Sequence, residues 1–111
     1  MLWLDEALME QVLINLLQNA MDAMTEVTQK QLTLSLQPDT QQRWQLDIAD
    51  SGPGISEAVA QQIFIPFFTT KQTGSGIGLS LSRALLQVQD AQLHYVPGDV
   101  PGSCFRISFQ Q

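Results

Sequence analysis

Asn15-Leu-Leu-Gln-Asn19-Ala-Met-Asp-Ala-Met24 sets two carboxamides one helical turn apart in an otherwise largely apolar segment. Asp5 is a good N-cap. Leu8, Val12, Leu13, Leu16, Leu17, Ala20 and Met24 recur at helical spacing, so a helix is predicted from Asp5 to about Met24 with one apolar face. Gln11, Asn15, Asn19 and Asp22 follow at i, i+4, i+8 and i+11 and form a polar stripe on another face.

Beyond this helix the period changes from helical to alternating. Residues 31–37 alternate, with Leu32, Leu34 and Leu36 expected inward. Residues 43–49 alternate too, with Trp44, Leu46 and Ile48 on one face, and the polar 38–42 segment between predicts a hairpin. Asp50 to Ile55 reads as a Gly/Pro turn; Ser56 can cap a short helix through Phe64, which Pro66 ends. A polar, glycine-containing loop from Thr69 to Ser75 precedes a third helix from Ile77 to about Gln89. Residues 91–96 and 104–110 form a last strand pair, with Phe105, Ile107 and Phe109 inward. The order α-β-β-α-α-β-β predicts an α+β sandwich of two layers, with helices on one face of a mixed, mostly antiparallel sheet.

The 111 residues form a single expected domain, 1–111. With 44% hydrophobic and 14% charged residues the composition is globular. A net charge of −6 argues against nucleic acid or an anionic membrane as the main partner. A polyanionic ligand would have to be met locally, by a divalent cation, backbone N–H groups and a few placed cations. One cysteine, Cys104, excludes an internal disulfide framework. With no signal peptide evident, a reducing, cytoplasmic setting is expected.

Four blocks carry the chemistry. The carbonyls of Asn15 and Asn19 are neutral oxygen ligands, suited to a hard cation that already carries phosphate charge. Asp50-Ser-Gly52-Pro-Gly54-Ile55 ends a strand with a carboxylate able to accept from an adenine amino group, and its glycines allow close backbone approach. Phe64-Ile-Pro-Phe-Phe-Thr-Thr70-Lys71 ends on one of only five cations, able to reach a phosphate as a mobile point charge. Gly74-Ser75-Gly76-Ile77-Gly78-Leu79 opens a helix whose N–H groups form an anion site. The strand that a dinucleotide fingerprint requires before such glycines is absent. Each block has a plainer reading by itself: solvated helix residues, an Asp-x-Gly turn, core aromatics, a surface lysine.

In this order the blocks resemble the N, G1, F and G2 boxes of the ATP-binding catalytic domain of sensor histidine kinases, in the group that includes gyrase B and MutL-type ATPases. The detail is similar to the nitrogen-regulation and dicarboxylate-transport branch. The resemblance implies a Bergerat-type ATP-binding fold that binds Mg²⁺ and ATP. It implies transfer of the γ-phosphate to a histidine on a separate dimerisation domain, and onward to a response regulator. Asn19 would then hold Mg²⁺ and Asp50 the adenine. Asn15 and Lys71 would be the catalytic pair. Asp22, Gly52, Gly54, Ile55, Thr70, Gly74, Ser75, Gly76, Ile77, Gly78, Leu79 and Ser103 would line the nucleotide.

Asn15 stands where ATP-hydrolysing relatives keep a glutamate. An amide cannot take a proton from water, so transfer rather than hydrolysis is implied. Many such kinases have a positively charged residue where Asp22 stands; Asp22 cannot supply that charge, which puts more weight on Lys71. The single histidine, His94, lies in a strand pattern and is no phosphoacceptor candidate. Domains of this family begin with a further strand and helix, so a domain truncated at its N-terminus is expected. A monomer is expected, and the parent could be a membrane-anchored sensor whose anchor lies elsewhere. A non-catalytic nucleotide-binding regulatory module, a GHKL ATPase and an anti-sigma-type serine kinase are the alternatives.

Overall fold

Among the described residues the chain runs α1 (Glu6–Ala23), β1 (Leu32–Pro38), β2 (Trp44–Asp50), α2 (Glu57–Ala60), α3 (Gly78–Gln87), β3 (Ala91–Val96) and β4 (Ser103–Phe109). The computed structural model describes residues 3–66, 78–97 and 102–111. The strands form one sheet in the order β1-β2-β4-β3, antiparallel at every described pairing. Helix α1 packs on α3 and β2, and α3 packs on β3. This is the expected two-layer sandwich.

Asp5 caps α1 as its sequence position predicts: its carboxylate accepts from the Leu8 N–H at 3.0 Å, satisfying one of the helix's orphan donors. Val12 and Leu16 of α1 share one buried cluster with Leu86 of α3 and with Ile48, Leu93, Phe105, Ile107 and Phe109 of the sheet, and Ala20 is buried as well. Full burial of a side chain such as Leu16 or Ile107 contributes about 1.5–3 kcal/mol. The buried Gln89 ties the ends of both helices together. Its Oε1 accepts from the Asp5 N–H at 2.7 Å, and its Nε2 donates to the Leu85 carbonyl at 3.0 Å.

The hairpin forms with a one-residue shift. Asp39 Oδ1 accepts from the N–H groups of Gln41 (2.8 Å) and Arg43 (2.9 Å), and Gln42 takes the left-handed conformation at φ 66°. The leucines of β1 depart from expectation. Leu34 pairs with the buried Ile48, and Leu36 with Leu46, so they share the helix-facing side of the sheet. Yet Leu32, Leu34 and Leu36 are 39%, 56% and 61% exposed. Alternation chooses a side chain's face; burial also requires a layer over that face. Here α1 lies over β2, and no described helix covers the edge strand.

Helix α2 is shorter than predicted. Ser56 caps it, with its Oγ accepting from Val59 N–H at 3.2 Å, but after Ala60 the bonds shift to the tighter i→i+3 pattern, as in Gln62 N–H to Val59 O. That turn rotates Ile63 into the core and sets Phe64 edge-on to Phe105 at 6.4 Å. Pro66 also disfavours a helical Ile65. Helix α3 stops two residues earlier than expected, and the chain reverses through Asp90 at φ 56°. A Cβ is strained in that region, and glycine is not. Asp90→Gly is expected to stabilise the fold by about 0.5 kcal/mol, read from urea unfolding.

Candidate functional site

Asp50 ends β2 directly opposite Ser103, the first residue of β4. It is buried, 8% exposed. Its Oδ1 accepts from the Gly52 N–H at 2.8 Å and, more weakly, from the Ser103 N–H at 3.4 Å. Both bonds go to the same oxygen, so Oδ2 has no hydrogen-bond partner among the described residues. The carboxylate is held by its own turn and by Ser103, with Oδ2 left over as an acceptor.

Glycine is required around it for steric reasons. A Cβ on Gly52 would meet the Ala23 carbonyl oxygen at 2.7 Å and Asp50 Oδ1 at 2.9 Å. Gly54, at φ 77°, would put one 2.8 Å from the Gly102 carbonyl oxygen; Gly102, at φ 134°, would drive one into the Asp50 carbonyl. The Asp50 turn, the C-terminal end of α1 and the start of β4 are thus packed backbone to backbone. Ser51 adds a clasp: its Oγ donates to the Gln29 carbonyl at 3.0 Å and accepts from Gln31 N–H at 2.8 Å. Asn19 lies one turn before Ala23 on the same helix, half-buried, so the polar stripe of α1 leads toward Asp50.

The stripe is not a row of freely solvated amides. Asn15 Nδ2 donates to Ser82 Oγ of α3 at 3.2 Å, and Asn15 Oδ1 accepts from Gln11 Nε2 at 3.2 Å. Asp22 is exposed and accepts from Gln18 Nε2 at 3.0 Å. Gly78 is the first residue of α3, and beyond its neighbours in the chain no described residue lies within 4 Å of where its Cβ would be. Leu79 and Ile55 are partly buried against the core, and Ser103 is buried beside Asp50. Thus Asn15, Asn19, Gly78 and Leu79 belong to the α1–α3 side, while Asp50, Gly52, Gly54 and Ser103 cluster at the sheet end. Thr70, Lys71, Gly74, Ser75, Gly76 and Ile77 lie outside the described residues, as do Phe67 and Phe68.

Phe64 packs as a core aromatic, and the Arg83 guanidinium stacks over its ring at 3.7 Å from the centroid. Arg83 also donates to the Leu93 carbonyl at 3.0 Å, joining α3 to β3. Two residues that shape the site, Ser82 and Arg83, were not expected from the sequence, and Gly102 was noted only as the glycine before Ser103. Gly102 carried a signal, as a glycine just before a strand, but its demand comes from Asp50, 52 residues away. Ser82 and Arg83 carried none beyond interrupting an apolar helix.

Among the described residues there is no group of three or more acidic, histidine or cysteine side chains that could cage a metal ion. The donor set fits a hard cation that arrives with most of its ligands, which is how Mg²⁺ travels with nucleotide phosphates. Among the described residues no helix is long and apolar enough to cross a membrane.

His94 is exposed on β3, opposite Arg106. Partial burial, then the guanidinium groups of Arg83 and Arg106, push its imidazole below the ordinary range. The unfolded chain then binds this proton more readily than the folded one. Stability is therefore present above about pH 6.5 and is lost as pH falls from there through the folded value. The thermal midpoint is expected to decline over that window, and His94→Gln to remove this component. Burial, then the Asp47 carboxylate, push the Cys104 thiol up, with Arg106 opposing them.

Comparison with known proteins gives a consistent picture. The profile described as "Histidine kinase-, DNA gyrase B-, and HSP90-like ATPase" matches residues 4–111. The sensor protein FixL of Bradyrhizobium diazoefficiens is 32% identical over 104 residues, covering 94% of this chain and 21% of that protein. The C4-dicarboxylate transport sensor protein DctS of Rhodobacter capsulatus is 37% identical over 106 residues, covering 94% of this chain and 16% of that protein. The chain thus spans about a fifth of these relatives' length. Among solved structures, the nucleotide-free catalytic domain of histidine kinase ThkA superposes with a TM-score of 0.82 at 31% identity, covering 98% of this chain and 70% of that one.

Proposed function

The chain belongs to the histidine kinase-, DNA gyrase B- and HSP90-like ATPase family, and on that ground we propose that it is the catalytic module of a two-component sensor kinase. It binds ATP with Mg²⁺ and presents the γ-phosphate to a histidine on a separate helical dimerisation domain of the same protein, from which a response regulator takes it. Residues 1–111 act as one domain, in the cytoplasm.

The observation that carries this reading is Asp50. Its Oδ1 is occupied by two backbone N–H groups, and Oδ2 remains for an exocyclic amino group. A base presented at the end of β2 would be read there as adenine. Asn19 supplies a neutral oxygen one turn before the point where α1 meets that turn, suited to hold a cation against phosphate. Mg²⁺, when bound, neutralises phosphate charge and orients the terminal phosphoryl group. The N–H groups that open α3 at Gly78 complement anionic oxygens, and Lys71 adds a cation.

The side chain at position 15 cannot serve as the base for attack by water. It is an amide, and it is already engaged with Ser82 and Gln11. That favours presentation of ATP to another group over hydrolysis and speaks against the plain ATPase reading. The site's contribution is positioning and charge neutralisation.

Calorimetric titration with ATP, with and without Mg²⁺ and with GTP as control, tests the binding half. Mg²⁺-assisted, adenine-selective binding is expected, and a folded chain that binds no nucleotide overturns the reading. Adding a phosphoacceptor dimerisation domain of a related kinase in trans, with labelled ATP, tests the transfer half. Acid-labile labelling of its histidine is the expected result; binding without transfer favours the regulatory module.

A further inference from the structure

Ser82 is the most deeply buried polar side chain in the described structure, with 0% exposure, in the middle of α3. Leu86, one turn on, is equally buried. Serine forms helices less well than alanine, and a hydroxyl gains nothing from burial unless it is bonded. The bond it makes crosses between helices, to Asn15 Nδ2 at 3.2 Å, and the other end of that amide is taken by Gln11. Asn15 lies one turn before Asn19 on α1, and Ser82 lies one turn after Gly78, where α3 begins.

We infer that Ser82 is a positioning residue of the nucleotide site, acting through Asn15. Its hydroxyl fixes the Asn15 amide and locks the phosphate-side parts of the site in register: the Asn19 turn of α1 and the first turn of α3. Apolar packing between the helices resists separation but allows small sliding, because it has no direction; a hydrogen bond between two fixed points resists sliding. The inference rests on the nucleotide-binding reading given above. Asn15 thereby serves as a tie between the two helices.

The test compares the parent chain with Ser82→Ala, Asn15→Ala and the double variant. Two affinities are measured: for Mg²⁺–ATP by calorimetry, and for adenosine by amide shifts in NMR spectra. Losing this bond is expected to weaken Mg²⁺–ATP about ten-fold in each single variant. The double variant should be no worse than Asn15→Ala, since both remove the same tie. Adenosine affinity, set at Asp50, should stay at the parent value, a split that general loosening of the fold would not produce. Ser82→Cys fills the site with a slightly larger thiol that is a weak acceptor, so it is expected to weaken Mg²⁺–ATP as Ser82→Ala does without leaving a cavity. Additive losses, equal loss of both ligands, or parent-like Mg²⁺–ATP binding by a folded Ser82 variant each overturn the inference. A parent chain that binds no Mg²⁺–ATP instead overturns the functional reading beneath it.

Discussion

Asp50→Asn is expected to lower affinity for ATP about 100-fold and to abolish the preference for adenine over guanine. The geometry dictates the sign. The introduced carboxamide would keep its carbonyl on the Gly52 and Ser103 N–H groups, because turning the amide round would set donor against donor there. The NH₂ group then occupies the place of Oδ2 and faces the amino group of adenine, again donor against donor. Guanine presents a carbonyl at the same ring position and is accepted by that NH₂. So the substitution should both weaken ATP and favour GTP relative to it, with a fold disturbed little because the turn keeps its bonds. Competition calorimetry reads both effects. A folded Asp50→Asn variant that still prefers ATP as the parent does would remove Asp50 from the base site.

Asn19→Ala is expected to cost on the order of 100-fold in Mg²⁺-dependent ATP affinity while leaving Mg²⁺-free binding nearly unchanged. Alanine at this half-buried helical position has the better helix propensity, by several tenths of a kcal/mol, so α1 should persist. The lost group is one carbonyl oxygen. If it holds a phosphate-borne cation, the advantage conferred by Mg²⁺ vanishes with it. Titrations of parent and variant in Mg²⁺ and in chelator supply the four numbers needed. An undiminished Mg²⁺ advantage in the variant would sink the metal assignment.

Much of the architecture was legible because its causes are local. The Asp5 cap acts on Leu8, three residues away. The turn at Asp39 is built from its own carboxylate and two nearby N–H groups. The last two strands follow from alternation that puts Phe105, Ile107 and Phe109 in the core. The end of α2 was less legible. Ser56 marks where it starts, but its stop after Ala60 is set by the docking of Ile63 and Phe64 on residues some forty positions away.

The same division runs through the candidate site. Which residues carry the chemistry was readable from the chain: amides at helical spacing, a carboxylate after a strand, glycines before a helix. Side-chain type and short-range spacing are written in the sequence. How those groups are committed was not. That Asp50 uses one oxygen and keeps the other depends on Ser103, brought opposite by strand pairing. That Asn15 is a tie depends on Ser82, 67 residues on. That the β1 leucines stay exposed depends on where α1 comes to lie. Hydrogen-bond capacity and apolar surface are properties of a residue, but their satisfaction is a property of its neighbours, and neighbours distant in sequence exist only once the chain has folded.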